Sequence, residues 1–363
     1  MNTDVISPVT QRLKYLDAAK GIGILMVVFG HITSLGNPVD TYFSAYKLSI
    51  FYIVSGYLLC MRQTLNRYEF KPYVWKQLKS LMLPYFGYSV IVMIYNIFID
   101  YLNAVDKSKM LHDFLDQLYA TVSLRGISAL WFLPSLLIGQ VLFFIILKSP
   151  KLVQVASAIL ALLLADYMVD FLPTLEETIV SMPYKIVYYP LLTLSKGLIA
   201  FWFIGSGYLC YFLLKNLKNR NIRFLLGVLF TLSTIYLSQK NPGVDLNLMS
   251  IGENSTLFYI NGILGAMGAV LILEYLEKWW KMSFLTFCGK YSLVIMSTHG
   301  TLGYKTMMIA GWKEIATVSD EYGLRYYFEC ICILINLMLL EYGVIRIVEN
   351  HLPWLMGNAR NKK

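Results

Sequence analysis

The sequence predicts an all-α, polytopic membrane protein of about ten helices, with both termini in the cytoplasm. Three observations lead there. Apolar residues make up 57% of the 363 positions and charged residues only 15%. Soluble domains carry about 25% charge and about 45–50% apolar residues. The apolar residues also come in blocks near bilayer-spanning length, roughly 17–25 residues. Finally, lysine and arginine are distributed unevenly between alternate connecting segments.

The blocks fall near 18–35, 46–61, 81–100, 130–147, 152–172, 187–214, 224–238, 257–276, 284–303 and 326–348. The sixth is long, and a broken or interfacial piece is expected around Tyr189-Pro190. With the N-terminus inside, 21 of the 31 basic residues lie in inner segments and ten in outer ones. That bias matches the positive-inside rule for an even number of spans. The whole chain, 1–363, reads as one membrane domain, with tails at about 1–16 and 349–363. No signal peptide, appended soluble domain or low-complexity segment is expected.

The net charge of +9 is not a nucleic-acid signature, because the basic residues sit in short segments between apolar blocks. Partners in the bilayer are lipids, and nucleic acid is not expected. Five scattered cysteines, Cys60, Cys210, Cys288, Cys330 and Cys332, suggest neither a disulfide framework nor a metal site. One internal echo exists: Phe51–Leu58 (FYIVSGYL) resembles Trp202–Leu209 (WFIGSGYL). A Ser-Gly pair in a membrane helix marks close helix packing, and the echo reads as shared packing chemistry.

Ionisable groups inside a bilayer are costly and point to function. His31 lies 11 residues after Lys20 in the first block. Eleven residues is almost three turns, roughly 16 Å of helix, so both side chains leave nearly the same face. A cation at the cytoplasmic mouth and an imidazole in the outer half suit a phosphorylated donor whose flexible arm reaches into the membrane. Histidine is the side chain best matched to general-base work near neutral pH; a packing histidine bonded to a backbone carbonyl is the alternative. Lys76 and Lys79, one turn apart before Pro84, can grip phosphates or serve only as positive-inside anchors. His299, in the outer half of the ninth block, is a second candidate or a packing residue. Trp131 and Trp202 fit an aromatic belt as well as a sugar-stacking platform. Asp166, Asp170, Glu274 and Glu341 lie nearer helix ends and read as interfacial. Asp245 and Asn247, in an outer loop, are turn formers or bind sugar hydroxyls.

The opening Arg12-Leu-Lys-Tyr-Leu-Asp17-Ala-Ala-Lys20-Gly-Ile-Gly-Ile-Leu-Met-Val-Val-Phe-Gly30-His31 resembles that of the acyltransferase-3 family of membrane acyltransferases, closest to its fucose 4-O-acetylase-like branch. Ser55-Gly-Tyr-Leu58, Leu130-Trp-Phe-Leu133, Val244-Asp-Leu-Asn247 and Gly289-Lys-Tyr-Ser-Leu293 leading to His299 follow in the family's order. The resemblance implies transfer of an acyl group, usually acetyl from acetyl-CoA, to a sugar hydroxyl of a cell-surface glycan or lipid-linked sugar in the bacterial cytoplasmic membrane. Acyl-CoA is then a co-substrate, with no bound cofactor and no metal. By the same resemblance His31 is the catalytic histidine. Arg12, Lys20, Lys76 and Lys79 hold the donor, and Ser55, Trp131, Asp245, Asn247 and His299 face the acceptor.

The sequence departs from the family in three places. Lys47-Leu-Ser49 stands where a His-Met-Pro-like run is common, and Lys76 and Lys79 stand for a doubled basic motif whose register also admits Gln77 and Ser80. Gln140 follows Trp-Phe-Leu where an acidic residue is common. A non-enzymatic glycan or lipid exporter is the alternative reading. It calls for a polar pathway across the whole membrane, whereas the ionisable groups here concentrate at two histidines and an inner basic rim.

Overall fold

The computed structural model describes residues 13–33, 36–178, 183–315 and 322–359; Arg12 lies outside them. In chain order the helices are α1 (Lys14–Gly30), α2 (Pro38–Ser44), α3 (Ser49–Met61), α4 (Thr64–Arg67), α5 (Phe70–Gln77), α6 (Leu83–Leu102), α7 (Lys107–Val122) and α8 (Phe132–Leu147). Then follow α9 (Lys151–Thr178), α10 (Pro183–Leu214), α11 (Arg220–Ser238), α12 (Ser255–Leu276), α13 (Ser283–Lys290), α14 (Ser292–Thr298), α15 (Tyr304–Ile315) and α16 (Leu324–His351). A two-stranded hairpin, β1 (Val244–Asp245) and β2 (Ser250–Ile251), joins α11 to α12 with Val244 opposite Ile251.

Each of the ten apolar blocks contains helix, the helix of the first ending at Gly30 and that of the ninth at Thr298. Among the described residues eight helices are long and apolar enough to cross a membrane. The first and ninth blocks differ in kind. The first is α1, a 17-residue helix buried along most of its length. The ninth is not one span but two short helices, broken at Tyr291, whose backbone (φ −103°, ψ 15°) leaves the helix. The Tyr291 hydroxyl donates to Glu349 at 2.9 Å, which anchors the break to α16. The break expected near Tyr189-Pro190 is absent: α10 runs through Pro190. The amphipathic helix α7 was not expected, because its sequence carries too many charges to read as a span. It packs beside α6 and turns Leu111, Leu115 and Val122 outward.

The bundle is held by two interlocks of small residues. The echoed Ser-Gly segments of α3 and α10 meet each other: a β-carbon at Gly56 would strike the Ile204 carbonyl, and one at Gly207 would strike that of Ile53. The contact is reciprocal, and it gives the echo its physical meaning as a shared packing surface. Likewise a β-carbon at Gly21 would strike the Leu285 carbonyl, and one at Gly289 the Asp17 carbonyl. Hydrophobic burial cannot drive helix association in lipid, so close backbone approach of this kind supplies the packing. The second interlock fixes α13, and through it α14, against α1.

Candidate active site

His31 closes α1 as its C-cap, and His299 closes α14. The interlock of α1 with α13 aligns the two helices so that these ends meet. The two rings stand 5.2 Å apart between centroids, tilted by 38°. His31 is exposed and His299 is fully buried. The His299 ring contacts the Ile295 carbonyl through Nδ1 at 2.7 Å. A carbonyl only accepts, so Nδ1 carries the proton, and Nε2 of the neutral ring is left with a bare lone pair. That Nε2 is buried and has no hydrogen-bond partner among the described residues. His31 and His299 were separate candidates in the sequence; the fold makes them a pair.

Beneath the pair lies a carboxylate whose position the sequence misread. Glu341 was placed near a helix end, but it sits in the body of α16 and is completely buried. Thr298, next to His299, donates to it (2.9 Å to Oε2), and the Tyr304 hydroxyl donates to its Oε1. Thr298 Oγ1 also lies 2.8 Å from the Val294 carbonyl. Glu341 thereby ties α14, the start of α15 and α16 together under the imidazoles. Its signal in the sequence was an acidic residue inside an apolar block, which merits a functional reading by default.

Two lysines stand near the pair. Lys47, standing where the resemblance implied a His-Met-Pro-like run, bonds Ser44 at 2.8 Å and pairs with Asp40 at 3.6 Å. A β-carbon at Gly30, the neighbour of His31, would lie 2.9 Å from the Lys47 ammonium. Lys47 and Lys305 are both close enough to act on His31 electrostatically.

Among the other expected acceptor residues, Trp131, Asp245 and Asn247 do meet, around a lysine that the sequence reading passed over. The Lys196 ammonium lies 4.3 Å from the Trp131 ring centroid and donates to the Asn247 carbonyl at 2.8 Å. Trp131 is therefore no open stacking platform: it is buried, with a face taken by Lys196. Asp245 Oδ1 accepts from the Asn247 N–H at 2.8 Å, which is the turn-forming role. Ser55 does not face this group; its hydroxyl accepts from Gln140 Nε2 at 2.6 Å inside the helix bundle.

On the expected donor side, Lys20 pairs with Asp17 at 2.7 Å. Lys76 and Lys79 are exposed, the first bonded to the Tyr68 hydroxyl at 3.1 Å and the second 4.9 Å over the Trp75 ring. Between α5 and α6 the chain makes a π-helical turn, Leu78–Met82. Such turns shift the register of the residues around them, which explains why spacing alone left the doubled basic motif ambiguous. Glu274 pairs with Arg223 at 2.5 Å, linking α12 to α11. Among the described residues no group of three or more His, Cys, Asp or Glu is arranged to hold a metal ion.

A multi-pass helical bundle in which two helix ends bring a pair of imidazoles together defines a polytopic membrane protein with a candidate site at those ends. A family model described as an acyltransferase domain matches residues 13–314, and the chain belongs to that acyltransferase-3 family; it is a multi-pass membrane acyltransferase. No curated protein and no solved structure matches it.

Proposed function

We propose that this protein is an O-acyltransferase of the cell membrane that moves an acyl group, most simply acetyl, from cytoplasmic acyl-CoA to a hydroxyl of an extracytoplasmic or lipid-linked sugar. The observation that carries this reading is the pair His31–His299, an exposed ring against a buried one at 5.2 Å. In this reading His31 takes the proton from the acceptor hydroxyl. The oxygen attacks the thioester carbonyl, the C–S bond breaks, and the proton passes to the departing CoA sulfur. His299 is the fixed partner. Its Nδ1–H is tied to Ile295, so the lone pair on Nε2 faces the reaction and can accept a hydrogen bond from the acceptor hydroxyl or from the charged His31 ring. Lys20, about three turns before His31 on α1, together with Lys76 and Lys79, attracts the phosphates of the donor. Lys20 exchanges its Asp17 contact for them.

Family membership favours this reading over the exporter. The test is to supply acetyl-CoA labelled in its acetyl group to inside-out vesicles loaded in their lumen with candidate glycans. Label on a sugar, lost in His31→Ala, is the expected result. Label that stays on CoA with every acceptor counts against the reading.

A further inference from the structure

Near the hairpin, one buried lysine stands without a carboxylate partner. Lys196 is only 3% exposed. Its partners are a ring face and a carbonyl, and no carboxylate lies within ion-pair distance among the described residues. Arg125, in the loop after α7, is close enough to act on Lys196 as a like charge. Its guanidinium lies 5.9 Å over the Tyr189 ring and, among the described residues, bonds only the Gly126 carbonyl, at 3.5 Å. Asp245, an opposing charge close enough to act on Lys196, is engaged by the Asn247 N–H. Beside it the Asn247 Oδ1 is buried with no partner among the described residues.

The cost of this arrangement is informative. Burying an ammonium costs more than a cation–π contact returns. A carbonyl adds a hydrogen bond and no charge. Cations in outer segments also oppose the topological bias of the chain. Groups retained at such cost inside a membrane protein mark a ligand. The cluster is continuous with the imidazole pair: the turn Ser128–Trp131 packs on α14, which ends at His299, and β1 packs on α2, which carries Asp40. Nearer the imidazoles, Lys305 has no ion-pair partner among the described residues and acts on both rings.

We infer that the acceptor is an anionic glycan, whose carboxylate or phosphate is met by Arg125 and Lys196 while a hydroxyl on the same or the adjoining sugar reaches His31. This rests on the acyltransferase reading for the role of the sugar, but not for its charge. Arg125 meets the anion from the loop side, Lys196 from within, and the unpartnered Asn247 amide oxygen is free to accept a sugar hydroxyl.

The test is equilibrium binding to the full chain in nanodiscs of uncharged lipid, with three probes. They are a glucuronic-acid-terminated disaccharide, its carboxyl-reduced neutral counterpart, and a short prenyl-phosphate-linked sugar. The acidic disaccharide or the prenyl phosphate should bind at least about tenfold more tightly than the neutral sugar, an advantage that shrinks with added salt. Whichever of the two binds identifies the anion as a sugar carboxylate or a carrier phosphate. Arg125→Gln and Lys196→Met should each remove most of the advantage while acyl-CoA binding persists. If Lys196→Met fails to fold, Arg125→Gln, at the half-buried loop position, still decides. Equal binding of all probes, binding of none, or an advantage intact in both variants overturns the inference. Anion preference without transfer to any acceptor would count against the acyltransferase reading and leave this one standing.

Discussion

His31 and His299 differ in surroundings although both end a helix, and in the proposed mechanism that difference separates their work. The exposed ring can meet a mobile hydroxyl; the buried ring is locked by Ile295. His31→Ala is expected to slow transfer by about 10²–10⁴-fold, the usual contribution of a general base, with insertion unchanged. Rates in proteoliposomes at matched protein level check this, and near-normal activity would return His31 to helix packing. His299→Ala should impair glycan acylation and leave acyl-CoA binding intact. Glu341 invites a different experiment. Glu341→Leu would leave the half-buried Tyr304 hydroxyl without its acceptor, while Thr298 keeps the Val294 carbonyl at 2.8 Å. Such a loss costs about 1–3 kcal/mol. Thermal unfolding in detergent should show a clear drop for Glu341→Leu and a smaller one for Glu341→Gln, which can still accept. Equal stability of all three proteins would mean that the carboxylate does not hold the helices.

At the scale of elements, the site depends on a helix that is too short to span. α13 and α14 together replace one continuous crossing, and the break at Tyr291 lets His299 end its helix opposite His31 rather than continue past it. The position of the pair is set by backbone contact at Gly21 and Gly289. Gly289→Val should therefore force α13 away from α1, separate the imidazoles and abolish activity, with reduced thermal stability. Gly311→Ala is the matched control, since a β-carbon there meets nothing within 4 Å. An active, stable Gly289→Val protein would show that the interlock does not set the site.

For the whole molecule, the two-sided scheme requires a donor end and an acceptor end on opposite faces. Leu248, 68% exposed in the hairpin loop, is the natural reporter for the outer face. Leu248→Cys should react with an impermeant maleimide in intact cells, and Lys76→Cys only after permeabilisation. The reverse pattern would invert the protein and the scheme with it. Kinetics provide a second check. Lys20→Ala should raise KM for acyl-CoA with kcat nearly unchanged, because it acts on phosphates far from the reacting carbon. A loss confined to kcat would move Lys20 into the chemistry.

The helical membrane class, the positions of ten apolar helical blocks, the resemblance to the family and the two histidines as candidates are all readable along the chain. These are local properties: the apolar content of a 20-residue window, or a motif read along one helix. The sequence also contained the Ser-Gly echo, although only the fold shows that the two copies pack on each other. What the tertiary structure alone decided are relations between distant segments. Sequence separation hides that 268 residues after His31 a second ring returns to stand beside it. Glu341 looked interfacial because its block boundary was drawn from hydropathy, which cannot tell a lipid-facing position from one facing Thr298 and Tyr304. Lys196 escaped notice for the related reason that a charge in an apolar block is judged by its neighbours in the chain. Its actual surroundings, the Trp131 ring and the Asn247 carbonyl, come from other segments. Burial and pairing of a charge are set by the surfaces that fold against it, and those surfaces exist only once the helices have packed.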